Sequence, residues 1–348
     1  MPDQRLRPFP AAFFVSLPLL RLVLGLMLAA AFAIQAQAAT PLRLAIQSTG
    51  TFGWELAIAR AYGLDKQADL ELATTELATT EAGKIALIGG GADLILSDWL
   101  WAARERSLDN KLLFYPHSTA LGAVIAKNAA AFAKPSDFIG KKLGVAGGPL
   151  DKSWLMLQAW ALRQGVDLNK QATIVYGAPP LLAEKFAQGE LDAVLEFWTF
   201  AARLQSQGFS RAVDMAEVER DLGAKGPVIV TGYVFSDSFA EKNGAALARF
   251  FDMMSKAKKL IAEDDEAFAK IAPKIAAATG VSDAAGLALV RKAYREGIPT
   301  RPLAAEEADA AAIYAILARV GGEKLVGSAP VLDPSVFYRP IADSSPKK

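Results

Sequence analysis

Two stretches about a hundred residues apart carry one pattern, and it constrains the fold more than any other feature of the chain. Gly91-Ala92-Asp93-Leu94-Ile95-Leu96 follows an apolar, helix-like run and leads into Ser97-Asp98-Trp99. Gly189-Glu190-Leu191-Asp192-Ala193-Val194-Leu195 follows another such run and leads into Glu196-Phe197-Trp198. Each reads as a helix closed by glycine, a tight turn, an aspartate, then a short buried strand ending in an acid and a tryptophan. A chain that repeats this step is expected to build two similar α/β lobes. Open α/β sheets take ligands at the carboxyl ends of their strands, so the pairing points to a cleft between the lobes.

The flanking pattern agrees. Strand signals at Leu42–Ile46, Asp69–Ala73, Leu94–Leu96 and Lys111–Tyr115 alternate with helical runs at Phe52–Tyr62, up to Ile88, and Trp99–Arg106. Such alternation implies βαβ units and a largely parallel sheet. The word Leu-Ala-Thr-Thr-Glu is written twice from Leu72 to Glu81; its first copy ends a strand, its second opens a helix, and a slipped duplication explains it. Ala120–Ala126 is another apolar run, after which the register restarts, with strands before Gly147, at Thr173–Tyr176 and at Ala193–Leu195. Helices are expected between them, at about Asp151–Gln164 and Pro179–Gln188. The remainder reads as mostly helical, with Gly226–Tyr233 and Val331–Tyr338 extended.

A chain of 348 residues, 52% apolar, can bury one large or two medium cores. A net charge of +1, with no basic block interleaved with aromatics, argues against nucleic acid. Arg5, Arg7 and Arg21, the apolar run Leu22–Ile34 and the small-x-small site Ala36-Gln37-Ala38 read as a cleavable export signal over residues 1–38. Cleavage removes Asp3, Arg5, Arg7 and Arg21 and turns the formal charge from +1 to −1. There is no cysteine, which excludes thiol nucleophiles, cysteine metal sites and a lipid-modified cysteine anchor. A periplasmic, soluble mature protein is expected.

Together these residues resemble a family. Pro135–Val145 resembles the segment opening the second lobe of periplasmic substrate-binding proteins of ABC importers, in the nitrate, taurine, alkanesulfonate and thiamine-precursor branch. Ala187–Ala193 is similar to that branch's helix–strand step, Gly90–Leu94 to the equivalent step in lobe one, and Gly50–Trp54 to its opening turn and helix. The resemblance spans residues 42–260. It implies a bilobed periplasmic-binding-protein type II fold of class α/β, with two Rossmann-like lobes joined by crossing hinge strands. Lobe one would comprise 41–121 and the mostly helical 232–338, lobe two 122–231, and 339–348 a flexible tail. It also implies a monomer that hands a small-molecule ligand to an inner-membrane ABC permease and performs no chemistry. The chain departs from the branch at Gly147-Gly148-Pro149-Leu150-Asp151. Anion-binding relatives offer free N–H groups there, whereas Pro149 has none and Asp151 brings negative charge.

The candidate ligand groups lie at the strand–helix corners. Trp54, Trp99, Trp154 and Trp198 are candidates for stacking or cation–π contact, the competing reading being loop anchors in the core. Asp98, Asp151 and Glu196 are candidate acceptors for ligand N–H or O–H groups. Asp98 and Asp151 suit equally well as helix N-caps, which leaves Glu196 the strongest single candidate. Gly50, Thr51, Ser97 and Ser153 offer backbone and hydroxyl groups, and Tyr233 stands near the return crossing. Asp98-Trp99 and Glu196-Phe197-Trp198 are expected to face each other across the cleft. These acids and aromatics favour a cationic or polar heterocyclic ligand. His117, the only histidine, reads as structural. No metal-ligand spacing, phosphate loop or cofactor motif occurs, so neither metal nor cofactor is expected.

Three function classes fit this reading. The first is a solute receptor for an ABC importer, closing by a hinge. The second is an enzyme on the same fold, and the third a periplasmic sensor or accessory protein that partners an exported oxidoreductase.

Overall fold

The computed structural model describes residues 40–340. The export signal and nearly all of the tail lie outside them. In chain order the strands are β1 (Thr40–Gln47), β2 (Leu70–Leu77), β3 (Leu94–Ser97), β4 (Leu112–Ser118), β5 (Ala123–Ala126), β6 (Lys142–Ala146), β7 (Thr173–Gly177), β8 (Ala193–Glu196), β9 (Ser210–Asp214) and β10 (Thr231–Ser236). The helices between them are α1 (Thr51–Ala61), α2 (Leu64–Gln67), α3 (Thr80–Ile88), α4 (Trp99–Arg106), α5 (Lys152–Arg163), α6 (Leu168–Gln171), α7 (Pro179–Ala187), α8 (Trp198–Ser206) and α9 (Met215–Leu222). After β10 come α10 (Asp237–Glu263), α11 (Asp265–Thr279), α12 (Ala284–Glu296), α13 (Leu303–Gly321) and α14 (Glu323–Val326).

The strands form two five-stranded sheets, β2-β1-β3-β10-β4 in lobe one and β7-β6-β8-β5-β9 in lobe two. The plan is the same in both. Three parallel βα strands come first, with the first-formed strand between the second and third. An antiparallel strand follows, supplied by a crossing from the other lobe: β10 in one, β5 in the other.

The repeated sequence step has a structural cause in each lobe. Gly90 (φ +71°) and Gly189 (φ +83°) adopt the left-handed conformation that closes α3 and α7. The next N–H groups, of Gly91 and Glu190, donate back to Ala86 O (2.8 Å) and Lys185 O (2.9 Å). The aspartate three residues after each glycine then stitches two strands together. Asp93 accepts from Arg43 N–H at 2.8 Å and Asp192 from Lys142 N–H at 2.8 Å. Their own N–H groups donate to the carbonyls of Arg43 (2.8 Å) and Lys142 (2.9 Å). These aspartates align each third strand on its first, and the short apolar strands that follow are buried.

The chain crosses between sheets twice, at 119–122 and 223–230, and the crossings are joined where Val230 N–H donates to Ser118 O (3.0 Å). Gly122 is needed in the first, because a Cβ there would stand 1.6 Å from Glu196 O. The C-terminal helices tie both lobes together: α12 packs on α8 of lobe two, and α13 on α5 and α9.

Three segments differ from the sequence reading. Residues 198–222, read only as part of a mostly helical remainder, hold a strand, β9, between α8 and α9. Gly226–Tyr233 becomes a strand only from Thr231, because the earlier N–H groups donate to acidic side chains. Val331–Tyr338 is not a strand; Asp333 caps a 3₁₀ turn at Pro334–Val336, and one bridge ties Phe337 to Phe114. Among the described residues no helix is long and apolar enough to cross a membrane.

Candidate functional site

Where the lobes meet, a recess opens beside the first crossing. Thr51, at the start of α1, and Trp198, at the start of α8, line it from opposite lobes; Ser118, Tyr294, Gly297 and Ile298 extend its walls, and Glu55, His117 and Lys258 form its floor. It measures about 220 Å³ counting its open mouth. Trp198 packs edge-on against Trp54 (6.1 Å between centroids), and both meet Tyr294 at 6.4–6.5 Å. Three aromatic rings from α1, α8 and α12 thus close the lobe junction.

Beneath the recess lies a buried polar cluster. Glu55 of α1 is fully buried and accepts from His117 Nε2 (2.9 Å) and Tyr294 Oη (2.8 Å), with Tyr233 Oη at 3.5 Å. Lys258 of α10 donates to His117 O and stands 5.7 Å from the Tyr233 ring. Burial pushes the Glu55 carboxyl up, but His117, Lys258 and the hydrogen bonds outweigh it and hold the group below its ordinary value. Burial lowers His117, against the pull of Glu55, and it lowers Lys258 in the same way. At neutral pH Glu55 is therefore ionised and His117 neutral with its proton on Nε2, while burial works against the charge on Lys258 that Glu55 favours.

The twelve sequence candidates divide by what holds them. Asp98 is the N-cap of α4, accepting from Trp101 N–H at 2.8 Å. Asp151 is the N-cap of α5, accepting from Ser153 and Trp154 N–H at 2.9 and 3.2 Å. Burial raises the Asp151 carboxyl, and repulsion from Asp98 of the other lobe adds to it. Two of the three acids that favoured a cationic ligand thus hold helix ends. Asp151 also occupies the N–H groups with which anion-binding relatives were expected to hold an oxyanion.

Trp99 and Trp154 are core residues. The Trp99 indole donates to Ile229 O and lies 6.1 Å from Tyr314; Trp154 is wholly buried and packs edge-on against Tyr176. The expected meeting of Trp99 and Trp198 across the cleft does not form. Trp99 joins the core beneath α13, whereas Trp198 packs on the lobe-one core around Trp54. A helix's first residue follows its own helix, and these two helices lean into different layers. Tyr233 is likewise a core residue, packed among Phe52, Phe250 and Phe251. Ser153 is buried in α5, and Gly50 precedes Thr51 as the N-cap of α1 without a side-chain bond.

Three candidates are buried with a polar group unmet. Ser97 Oγ, Trp54 Nε1 and both carboxylate oxygens of Glu196 have no hydrogen-bond partner. Burial holds the Glu196 carboxyl well above its ordinary value, and the charge of Arg203 offsets little of this. Sequence reasoning missed Glu55, Lys258 and Tyr294 and read His117 as structural. One signal was present: Lys258 interrupts the apolar stripe of α10 four residues after Met254 and three before Ile261. Among the described residues no three acidic or histidine side chains are placed to hold a metal ion.

Comparison with known proteins identifies the fold. No curated protein matches the chain by sequence. Among solved structures, the periplasmic aliphatic sulphonate binding protein SsuA of Escherichia coli superposes with a TM-score of 0.68 at 18% identity, covering 86% of this chain and 92% of that one. The alkanesulfonate-binding protein SsuA of Xanthomonas axonopodis pv. citri, bound to MOPS, gives 0.63 at 16% identity over 86% and 98%. The desulfurization enzyme DSZB gives 0.55 at 14% identity over 85% and 94%. At these identities the likeness is one of fold, the bilobed fold of periplasmic binding proteins. The sequence model of the family described as NMT1/THI5 like matches residues 56–267. The chain belongs to the NMT1/THI5-like family.

Proposed function

We propose that this protein is the periplasmic solute-binding component of an ABC importer, exported by residues 1–38. On this reading it captures a small organic molecule between its lobes and delivers it to an inner-membrane permease as a monomer. Closure follows from differential affinity: a ligand that touches both lobes stabilises the closed arrangement over the open one. The observation that carries this reading is the position of the unmet groups. Ser97 and Glu196 are the last residues of β3 and β8, one at the carboxyl end of a parallel strand in each sheet. Both are buried without partners, and such groups call for a ligand or water. Family membership and the fold shared with sulfonate-binding proteins support the same role.

Glu196 favours a solute that brings hydrogen-bond donors, cationic or polar heterocyclic, and the aromatic wall of Trp54, Trp198 and Tyr294 favours a flat one. Thr51 and Gly50 add hydroxyl and backbone groups at the mouth. Melting the mature protein with pools of small organic solutes tests the role, with tryptophan emission followed in parallel. A ligand at about a hundredfold its Kd adds about 2.7 kcal/mol of stability, so at least one pool should raise the melting temperature by several degrees. If no pool moves it, the reading fails. The shared fold with a desulfurization enzyme supplies a second reading; turnover of a bound solute, rather than its recovery unchanged, would favour it.

A further inference from the structure

The return crossing from lobe two to lobe one is gripped through its backbone by three acidic side chains. Lys225 N–H donates to Asp309 Oδ1 (3.1 Å), Val228 N–H to Glu219 Oε2 (3.3 Å) and Ile229 N–H to Glu306 Oε2 (3.3 Å). The grip closes from two sides, with Glu219 on α9 of lobe two and Glu306 and Asp309 on α13. All three are 1–3% exposed. Arg301 completes the ring, pairing with Asp309 at 2.8 Å and donating to Pro227 O at 3.1 Å. A Cβ on Gly226 would stand 2.6 Å from the Arg301 guanidinium, so a side chain there would push Arg301 out of the ring.

Serine or asparagine would satisfy the same N–H groups without charge. Three carboxyls facing one guanidinium instead leave a buried excess of negative charge, which is destabilising while all are ionised. The surrounding groups do not relieve it. Asp214, at the start of α9, is itself paired with Arg211 at 2.8 Å. Arg163 of α5 donates to the carbonyls of Asp221 and Leu222 rather than to the acids. Glu219 Oε1 and Glu306 Oε1 have no partner. Burial holds the Glu219 carboxyl well above its ordinary value, and repulsion from Glu306, Asp309 and Asp214 adds to it. Burial also raises Glu306, against the pull of Arg301.

We propose that Glu219, Glu306 and Asp309 form a proton-operated clamp on the 223–230 crossing. With a proton taken from solvent, the cluster holds three backbone N–H groups with little internal repulsion. When the proton returns to solvent, the carboxylates repel one another, the grip slackens and the lobes gain freedom to part. Because Val230 N–H bonds Ser118 O, slackening reaches the other crossing too. The clamp ties lobe mobility to the pH of the protein's surroundings, whatever solute is bound.

Hydrogen exchange of the mature protein, corrected for the intrinsic pH dependence of exchange, tests this directly. Protection of the Val228 and Ile229 amides is expected to fall roughly tenfold as pH is raised from the ordinary carboxyl range into mildly alkaline solution. The radius of gyration from X-ray scattering should rise over the same range. Glu219→Gln keeps an acceptor for Val228 N–H but cannot ionise, so it should hold its protection across the range. Glu306→Gln should do the same and serves if Glu219→Gln does not fold. Glu217→Gln, exposed on the same helix, should behave as wild type. Equal corrected protection at both ends of that range in the wild-type protein overturns the clamp, as does a glutamine variant at 219 or 306 that loosens like wild type.

Discussion

Glu55 and His117 meet at 2.9 Å in a site closed to solvent, one from the first helix of lobe one and the other from the strand that leads into the first crossing. Two tyrosines and Lys258 surround the pair. Removing Glu55 leaves His117 Nε2–H and Tyr294 O–H without an acceptor in a buried site and takes from Lys258 the carboxylate that favours its charge. Glu55→Ala should therefore cost about 3–5 kcal/mol of unfolding free energy, measured by urea denaturation. The neutral double variant Glu55→Gln with Lys258→Met should lose at least about 1 kcal/mol less than the sum of its single changes. Strict additivity would contradict the coupling.

His117 gives a direct reading of the same cluster, because its ring is the only imidazole in the chain. Burial holds it below its ordinary value of 6.5, with Lys258 adding to the effect and Glu55 opposing it. Below about 6.5 the unfolded chain takes up a proton that the folded chain refuses, so stability present above that pH is lost as pH falls through the folded value. Glu55, also lowered, acts in the same direction at still lower pH. Proton NMR should show the His117 ring titrating below 6.5, with the melting temperature falling on acidification. A midpoint above 6.5 would contradict the assignment of charges.

Glu196 has the opposite sign. Its raised value means that stability present at acid pH is lost as pH rises from the ordinary carboxyl range toward the folded value. Glu196→Gln keeps the side chain's shape but cannot ionise, and should raise the melting temperature at neutral pH by about 2–4 °C. The same substitution should weaken solute binding at least about tenfold, one hydrogen bond to a charged group. A variant that is less stable and binds normally would remove Glu196 from the site.

The equivalence of the lobes can be tested at Asp93 and Asp192. Each joins its strand to the first strand of its lobe through a pair of backbone contacts. Asp93→Ala and Asp192→Ala should each cost about 1–2 kcal/mol, with Arg43 making Asp93 the more sensitive. A large loss at one and none at the other would break the equivalence.

Much of the architecture was legible because it is local. The glycine at each helix end, the aspartate three residues later and the apolar strand that follows are set by backbone conformation and near-neighbour bonding, which a sequence displays. Asp98 and Asp151 were legible as caps for the same reason. The site was less so. Whether Trp99 or Trp198 turns to the lobe junction depends on how Trp99 meets Tyr314 of α13 and how α8 packs on α12, both distant in the chain. Glu55, Lys258 and Tyr294 come together from three helices. Only the lysine in the apolar stripe of α10 betrayed that a buried charge awaited a partner.

The central claim, a small organic solute held between the two lobes, is tested most directly by mass spectrometry of the molecules released on denaturing protein purified from its own periplasm. One solute should be released unchanged, in amounts approaching one per chain. The solute should also be depleted from Glu196→Gln and Trp198→Ala proteins prepared in parallel. Recovery of no solute, or equal recovery from both variants and the wild type, would contradict that claim.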